Sequence, residues 1–175
     1  MKKQTTINMI LSALFIALGV TFPIAFHSLG LAGPIFLPMH IPVLLCGLIC
    51  GWKYGALVGF TVPLLSSMFT GMPVLFPIGI TMCFELCTYG AVAGLLANKK
   101  NIFVSLICSM ITGRVVSGIA NVILLSLSGK GFVLNSFLAG AFITALPGII
   151  VQLILIPVIM MALKKAKILN KVMTA

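Results

Sequence analysis

Residues 79–96 read "GITMCFELCTYGAVAGLL", a largely apolar stretch that contains Glu85, the only acidic residue among 175. The same chain carries eleven Lys and Arg. A carboxylate in the middle of such a run must meet a partner or face a cavity, because an unpaired charge in hydrocarbon is costly. The stretch is long enough to cross a bilayer core of about 30 Å as a helix.

Composition extends that reading to the whole chain. With 61% apolar and 7% charged residues and a mean hydropathy of +1.30, the sequence lies far outside the range of soluble domains and is expected to be an integral membrane protein. A formal charge of +10 does not point to nucleic acid, since the basic residues fall in short breaks between apolar runs rather than on a polar, aromatic-interleaved face. Cys46, Cys50, Cys83, Cys87 and Cys108 all lie inside apolar runs, where cysteine behaves as a small hydrophobe, so neither a disulfide framework nor a metal site is expected. No cleavable signal pattern is apparent at the start of the chain.

Apolar runs predict an all-α fold, a single transmembrane domain over 1–175, with six spans near 5–26, 36–51, 55–71, 77–97, 102–127 and 137–163. "GWKYG" at 51–55 and "ANKKN" at 97–101 separate neighbouring spans, and Trp52 reads as an interface anchor. "HSLGLAGPIFLP" at 27–38 is the longest connection, since Gly30, Gly33, Pro34 and Pro38 oppose a straight helix. Alternating sides along six spans places Lys2, Lys3, Lys53, Lys99, Lys100, Lys164, Lys165, Lys167 and Lys171 on one side and Lys130 on the other. The positive-inside rule then puts both termini in the cytoplasm.

Arg114 belongs to neither side. It lies within "SMITGRVVSGIANVILL" at 109–125, near the middle of the fifth span, where an arginine costs about 2.5–3.5 kcal/mol on insertion scales. At 1.5 Å of rise per residue Glu85 is roughly 12 Å, and Arg114 roughly 20 Å, below the outer ends of their spans. Two readings follow: a structural ion pair that pins two helices, or the floor of a ligand pocket open to the outside. Helical spacing favours the pocket. Arg114, Ser117, Gly118 and Asn121 share one face, as do Thr81, Glu85 and Thr88 or Tyr89, and Thr144, Gly148 and Gln152 recur at intervals of four beside Pro147. Those stripes describe a cleft among spans four to six for a small polar molecule, with Arg114 suited to a carboxylate. His40 in "LPMHIP" is a weaker candidate at the pocket mouth, and His27 flanks the same loop. Gly47, Gly51, Gly55 and Gly59, with Gly90 and Gly94, read as close-packing positions, and the methionines as gap-fillers. No phosphate-binding "GxxxxGK[ST]", "HExxH" or "GxSxG" occurs, so the motifs of those ATPases, metalloproteases and serine hydrolases are missing.

Six short spans, "AxxxA" at Ala13–Ala17, and the strings "LPMHIPVLLCGLICGWKYGALVGF" (37–60), "MPVLFPIGITMCFELCTYG" (72–90) and "LAGAFITALPGIIVQLILIPVIM" (138–160) resemble the S-components of energy-coupling-factor (ECF) vitamin transporters. Within that family the subfamily associated with pantothenate looks most similar. The resemblance implies a non-enzymatic capture subunit of the bacterial plasma membrane that binds no cofactor of its own. It would dock through Ala13 and Ala17 on a T-component carrying two cytoplasmic ATPases, which hydrolyse the ATP. It also implies an outward pocket built from spans four to six, where Arg114, Asn121, Ser117, Thr81 and Gln152 would complement pantothenate, and Tyr89, Thr144 and His40 join as further candidates. Glu85 would orient Arg114 or accept a hydroxyl proton. Alternatives are an S-component for another vitamin, a stand-alone secondary transporter with Glu85 as its proton site, and a structural protein using the ion pair only to fix its fold.

Overall fold

The computed structural model describes residues 2–28, 33–97, 100–129 and 134–166, and among these it is helical with no strand. α1 (Lys2–Ser28), α2 (Gly33–Phe36), α3 (His40–Cys50) and α4 (Trp52–Thr70) form the first half. A π-type turn at Leu75–Gly79 leads into α5 (Ile80–Leu96), followed by α6 (Ile102–Leu127). α7 (Leu134–Leu138), a second π-type turn at Ala139–Thr144 and α8 (Leu146–Lys165) complete the order. Four helical segments are long and apolar enough to cross a membrane: Lys3–Ser28, Leu75–Leu96, Ile102–Leu127 and Leu146–Lys165. The "HSLGLAGPIFLP" connection falls partly outside the described residues, as do Lys99, Lys130, Lys167 and Lys171.

Three expected spans take a different form, and the one at 55–71 is observed as α4, which is not among these four segments. Residues 36–51 do not make one long helix: α3 has 11 residues, about 16 Å at helical rise, well short of a bilayer core. It is also apolar on every side, the mark of a helix enclosed by others. All of its residues except Ile49 are buried. Residues 137–163 are likewise divided, because regular α-helix begins only at Leu146 after the π-type turn.

α5 is the central element, packed on α3, α4 and α6, while α1 lies across α3 and α4. Close approach depends on glycine. A Cβ on Gly55 or Gly90 would strike the other's backbone, one on Gly47 would strike Gly90, and one on Gly59 would strike Leu86. Gly51 is the exception to the close-packing reading, since nothing lies within 4 Å of a Cβ there and its φ is +91°. It makes the tight turn from α3 to α4, a conformation that disfavours any residue with a side chain. Ser105 donates to the Ala93 carbonyl at 3.0 Å and fastens the start of α6 to α5.

These contacts collect positive charge at one end of the bundle. Asn8 of α1 donates to the Cys50 carbonyl at 3.5 Å, Gly94 abuts the Trp52 backbone, and Lys100 and Lys164 line one cavity. The described lysine side chains, at positions 3, 53, 100, 164 and 165, therefore lie near that end, whereas Arg114 stands about three turns into α6.

Candidate functional site

The charged residues inside the bundle meet. Arg114 Nη1 lies 2.9 Å from Glu85 Oε1, joining α6 to α5, with the two side chains only 11% and 5% exposed. His40, the first residue of α3, brings Nε2 to 3.8 Å from the same oxygen, which is electrostatic contact rather than a hydrogen bond. Its ring stands edge-on to Tyr89, with centroids 5.3 Å apart. Tyr89 is one turn beyond Glu85 on α5, and its hydroxyl interacts with both Glu85 and Arg114. Ser117 lies against Glu85 from α6.

Local chain geometry sets this cluster. Leu37 adopts φ +50°, uncommon for a residue with a Cβ, and its carbonyl accepts the His40 N–H at 3.1 Å. The turn delivers His40 into the bundle at 2% exposure instead of leaving it at the rim, because the short, fully enclosed α3 starts inside the protein. Gly113 is equally important and carries no chemical signal in sequence. A Cβ there would overlap the Tyr89 ring, so the glycine one position before Arg114 makes the slot that the tyrosine fills.

Several buried polar atoms have no partner within the described protein. They include Nε and Nη2 of Arg114, Oε1 of Glu85, which meets Arg114 as an ion pair without hydrogen-bond geometry, both ring nitrogens of His40, and Nε2 of Gln152 on α8. Native structures rarely leave such groups orphaned, so their concentration here is informative. Arg114 uses Nη1 for Glu85 and keeps the adjacent pair Nε and Nη2 unengaged. That edge of the guanidinium is a fork able to hold both oxygens of a carboxylate.

The other polar candidates are placed less directly. Thr81 is buried but donates to the Ile78 carbonyl of its own chain turn at 2.7 Å. Asn121 donates to the Ser117 carbonyl one turn back at 3.0 Å, and Gly118 on that stripe lies under the Phe137 ring. Thr88 bonds the Phe84 carbonyl at 2.8 Å, so Tyr89 is the member of that alternative that joins the cluster. Thr144 is exposed in the second π-type turn. Gln152 is buried, one turn from Gly148, which packs on the backbone of Ile35 and Phe36. Among the described residues no hydrogen bond links Gln152 to the Glu85–Arg114 pair. Ala13 and Ala17 are exposed on α1, while Ser12, Phe15 and Gly19 form its buried side.

A bundle of apolar helices around buried, incompletely satisfied donors has a counterpart among known sequences. The pattern of a family described as "ECF transporter, substrate-specific component" matches residues 7–160. The chain belongs to that family. No curated protein and no solved structure matches the chain. As an ECF S-component it is an integral membrane protein of a transport system, and the match takes in α1 with Ala13 and Ala17, the His40–Glu85–Arg114 cluster, and α8 as far as Met160.

Proposed function

We propose that this S-component captures a small water-soluble vitamin bearing a carboxylate, with pantothenate the favoured ligand. The observation that carries the reading is the unengaged Nε and Nη2 edge of Arg114, whose Nη1 is paired with Glu85. A carboxylate on that edge gains two charge-assisted hydrogen bonds, and the paired Glu85 limits the cost of keeping an arginine in the bundle. His40, Tyr89 and Ser117 supply further polar contacts around the same point. The hydroxyls and amide of pantothenate would find them, with Gln152, Asn121, Thr81 and Thr144 engaged as the ligand bridges toward α8. The six crossings expected from the sequence would be completed in this reading by α4 and by the stretch 33–50 that contains α2 and the short α3, together with the four longer segments.

Clustering of the described lysines at one end supports an orientation with that end, and both termini, in the cytoplasm of a bacterial cell. The vitamin then enters from the opposite side of the plasma membrane. On α1, Ala13 and Ala17 leave a shallow exposed strip beside Met9 and Leu14, against which a helix of the T-component could approach closely. The ATP that drives release is hydrolysed by the two ATPase subunits on that partner.

The test is a thermal-shift and direct-binding panel on the detergent-purified protein with pantothenate, other carboxylate-bearing vitamins and uncharged vitamins. Saturable stabilisation by pantothenate is expected. Stabilisation by another carboxylate vitamin alone would reassign the substrate, and response only to uncharged vitamins would remove Arg114 from recognition.

A further inference from the structure

Away from the Arg114 cluster, a cavity of about 250 Å³ opens at the lysine-rich end of the bundle. Its rim carries Lys100, Asn101 and Lys164, and its apolar wall includes Leu48, Pro157 and Met160. Leu48, Pro157 and Met160 are buried, whereas Phe103 and Met161 at its edge and both lysines are exposed. α6 begins here without a side-chain cap, so the unbonded N–H groups of its first turn add positive potential at the same place. No Asp or Glu side chain neutralises the rim, because the only acidic side chain, Glu85, is paired with Arg114 inside the bundle.

We infer that this groove holds the headgroup of an anionic phospholipid. An uncompensated basic rim over an apolar crevice between membrane helices complements such a molecule on both counts: the phosphate meets the two lysines and the start of α6, and the upper acyl chain lies along Pro157 and Met160. A soluble anion would leave the apolar wall unused, and an uncharged lipid would leave the lysines unanswered. The inference rests on the membrane setting and not on the identity of the vitamin.

The experiment compares phosphatidylglycerol with phosphatidylcholine in mixed micelles, reading lipid retained on the protein by native mass spectrometry and melting temperature in parallel. Wild type, the double variant Lys100→Gln/Lys164→Gln, and Lys53→Gln are tested; Lys53 lies at the same end but does not line the groove. Preferential retention of phosphatidylglycerol is expected, weakened roughly 25-fold in the double variant, from about fivefold per lysine at an anionic surface. Lys53→Gln should bind as wild type. The exposed lysines can be replaced without disturbing the core, and the lipid-free melting temperature of each variant checks this.

Equal retention of phosphatidylcholine overturns the inference, as does equal weakening by Lys53→Gln, which would mean diffuse surface charge. Protection by glycerol phosphate equal to that of the lipid would make the groove a soluble-anion site. A double variant that keeps its lipid but no longer co-purifies with a T-component would make it a protein interface. Either result excludes the lipid assignment.

Discussion

Arg114→Lys separates the ion pair seen for this side chain from the ligand contact proposed for it. In wild type, Nη1 holds Glu85 at 2.9 Å while Nε and Nη2 remain for a ligand. A lysine keeps the charge opposite Glu85 but offers a single nitrogen, so the ion pair survives and the second edge vanishes. Stability should therefore fall modestly, while affinity for pantothenate falls by about 1.5–3 kcal/mol, the range for a hydrogen bond to a charged group. That corresponds to roughly 10- to 150-fold in Kd. Arg114→Ala gives the contrast. It strands Glu85, only 5% exposed, and breaking a buried pair in this way costs about 3–5 kcal/mol of stability. Isothermal titration of pantothenate and melting in the same detergent provide both axes. Lysine and wild type with equal affinity would refute the free-edge argument, and lysine as unstable as alanine would refute the claim that charge alone maintains the pair.

The double variant Glu85→Gln/Arg114→Gln should melt closer to wild type than the less stable single variant, because neither glutamine is left beside an uncompensated buried charge, yet it should not bind pantothenate; strictly additive losses in a double-mutant cycle would show that the pair is not coupled. Gly113→Ala places a methyl group into the Tyr89 ring, so overpacking of about 1–3 kcal/mol should outweigh the roughly 1 kcal/mol gained in helix propensity; a raised melting temperature would mean that the ring moves freely. Ala13→Trp or Ala17→Trp on the exposed side of α1 should abolish uptake in cells while pantothenate binding by the purified protein is unchanged, and normal uptake by both variants would remove the docking role.

One helix and one pair of charges were legible in the sequence. The apolar run 102–127 had bounds that its composition alone could set, and it is observed as Ile102–Leu127. Glu85 and Arg114 demanded partners on grounds of cost, and each is found beside the other. α3 was harder to read. An enclosed helix and a lipid-facing helix are both apolar all round, so periodicity could not distinguish an 11-residue core element from a full span. The same ambiguity hid His40. Its position in "LPMHIP" suggested a loop near the surface, but the turn at Leu37 and the burial of α3 carry it to Glu85. Gly113 left no trace in helical patterning because its contribution is an absent side chain, visible only once the Tyr89 ring occupies the space.

Beside Arg114, the proposed ligand role accounts for one acid rather than none or two. With no acid, Arg114 would carry an uncompensated charge inside the bundle whenever the site was empty. A second carboxylate close enough to take Nε and Nη2 would satisfy the arginine fully and leave no edge for an anionic ligand. One carboxylate paired with Nη1 lowers the cost of the arginine's charge and leaves Nε and Nη2 unengaged. A merely structural ion pair would be strengthened by completing those bonds within the protein. Left open within the protein, they are the bonds that the proposed carboxylate ligand would complete.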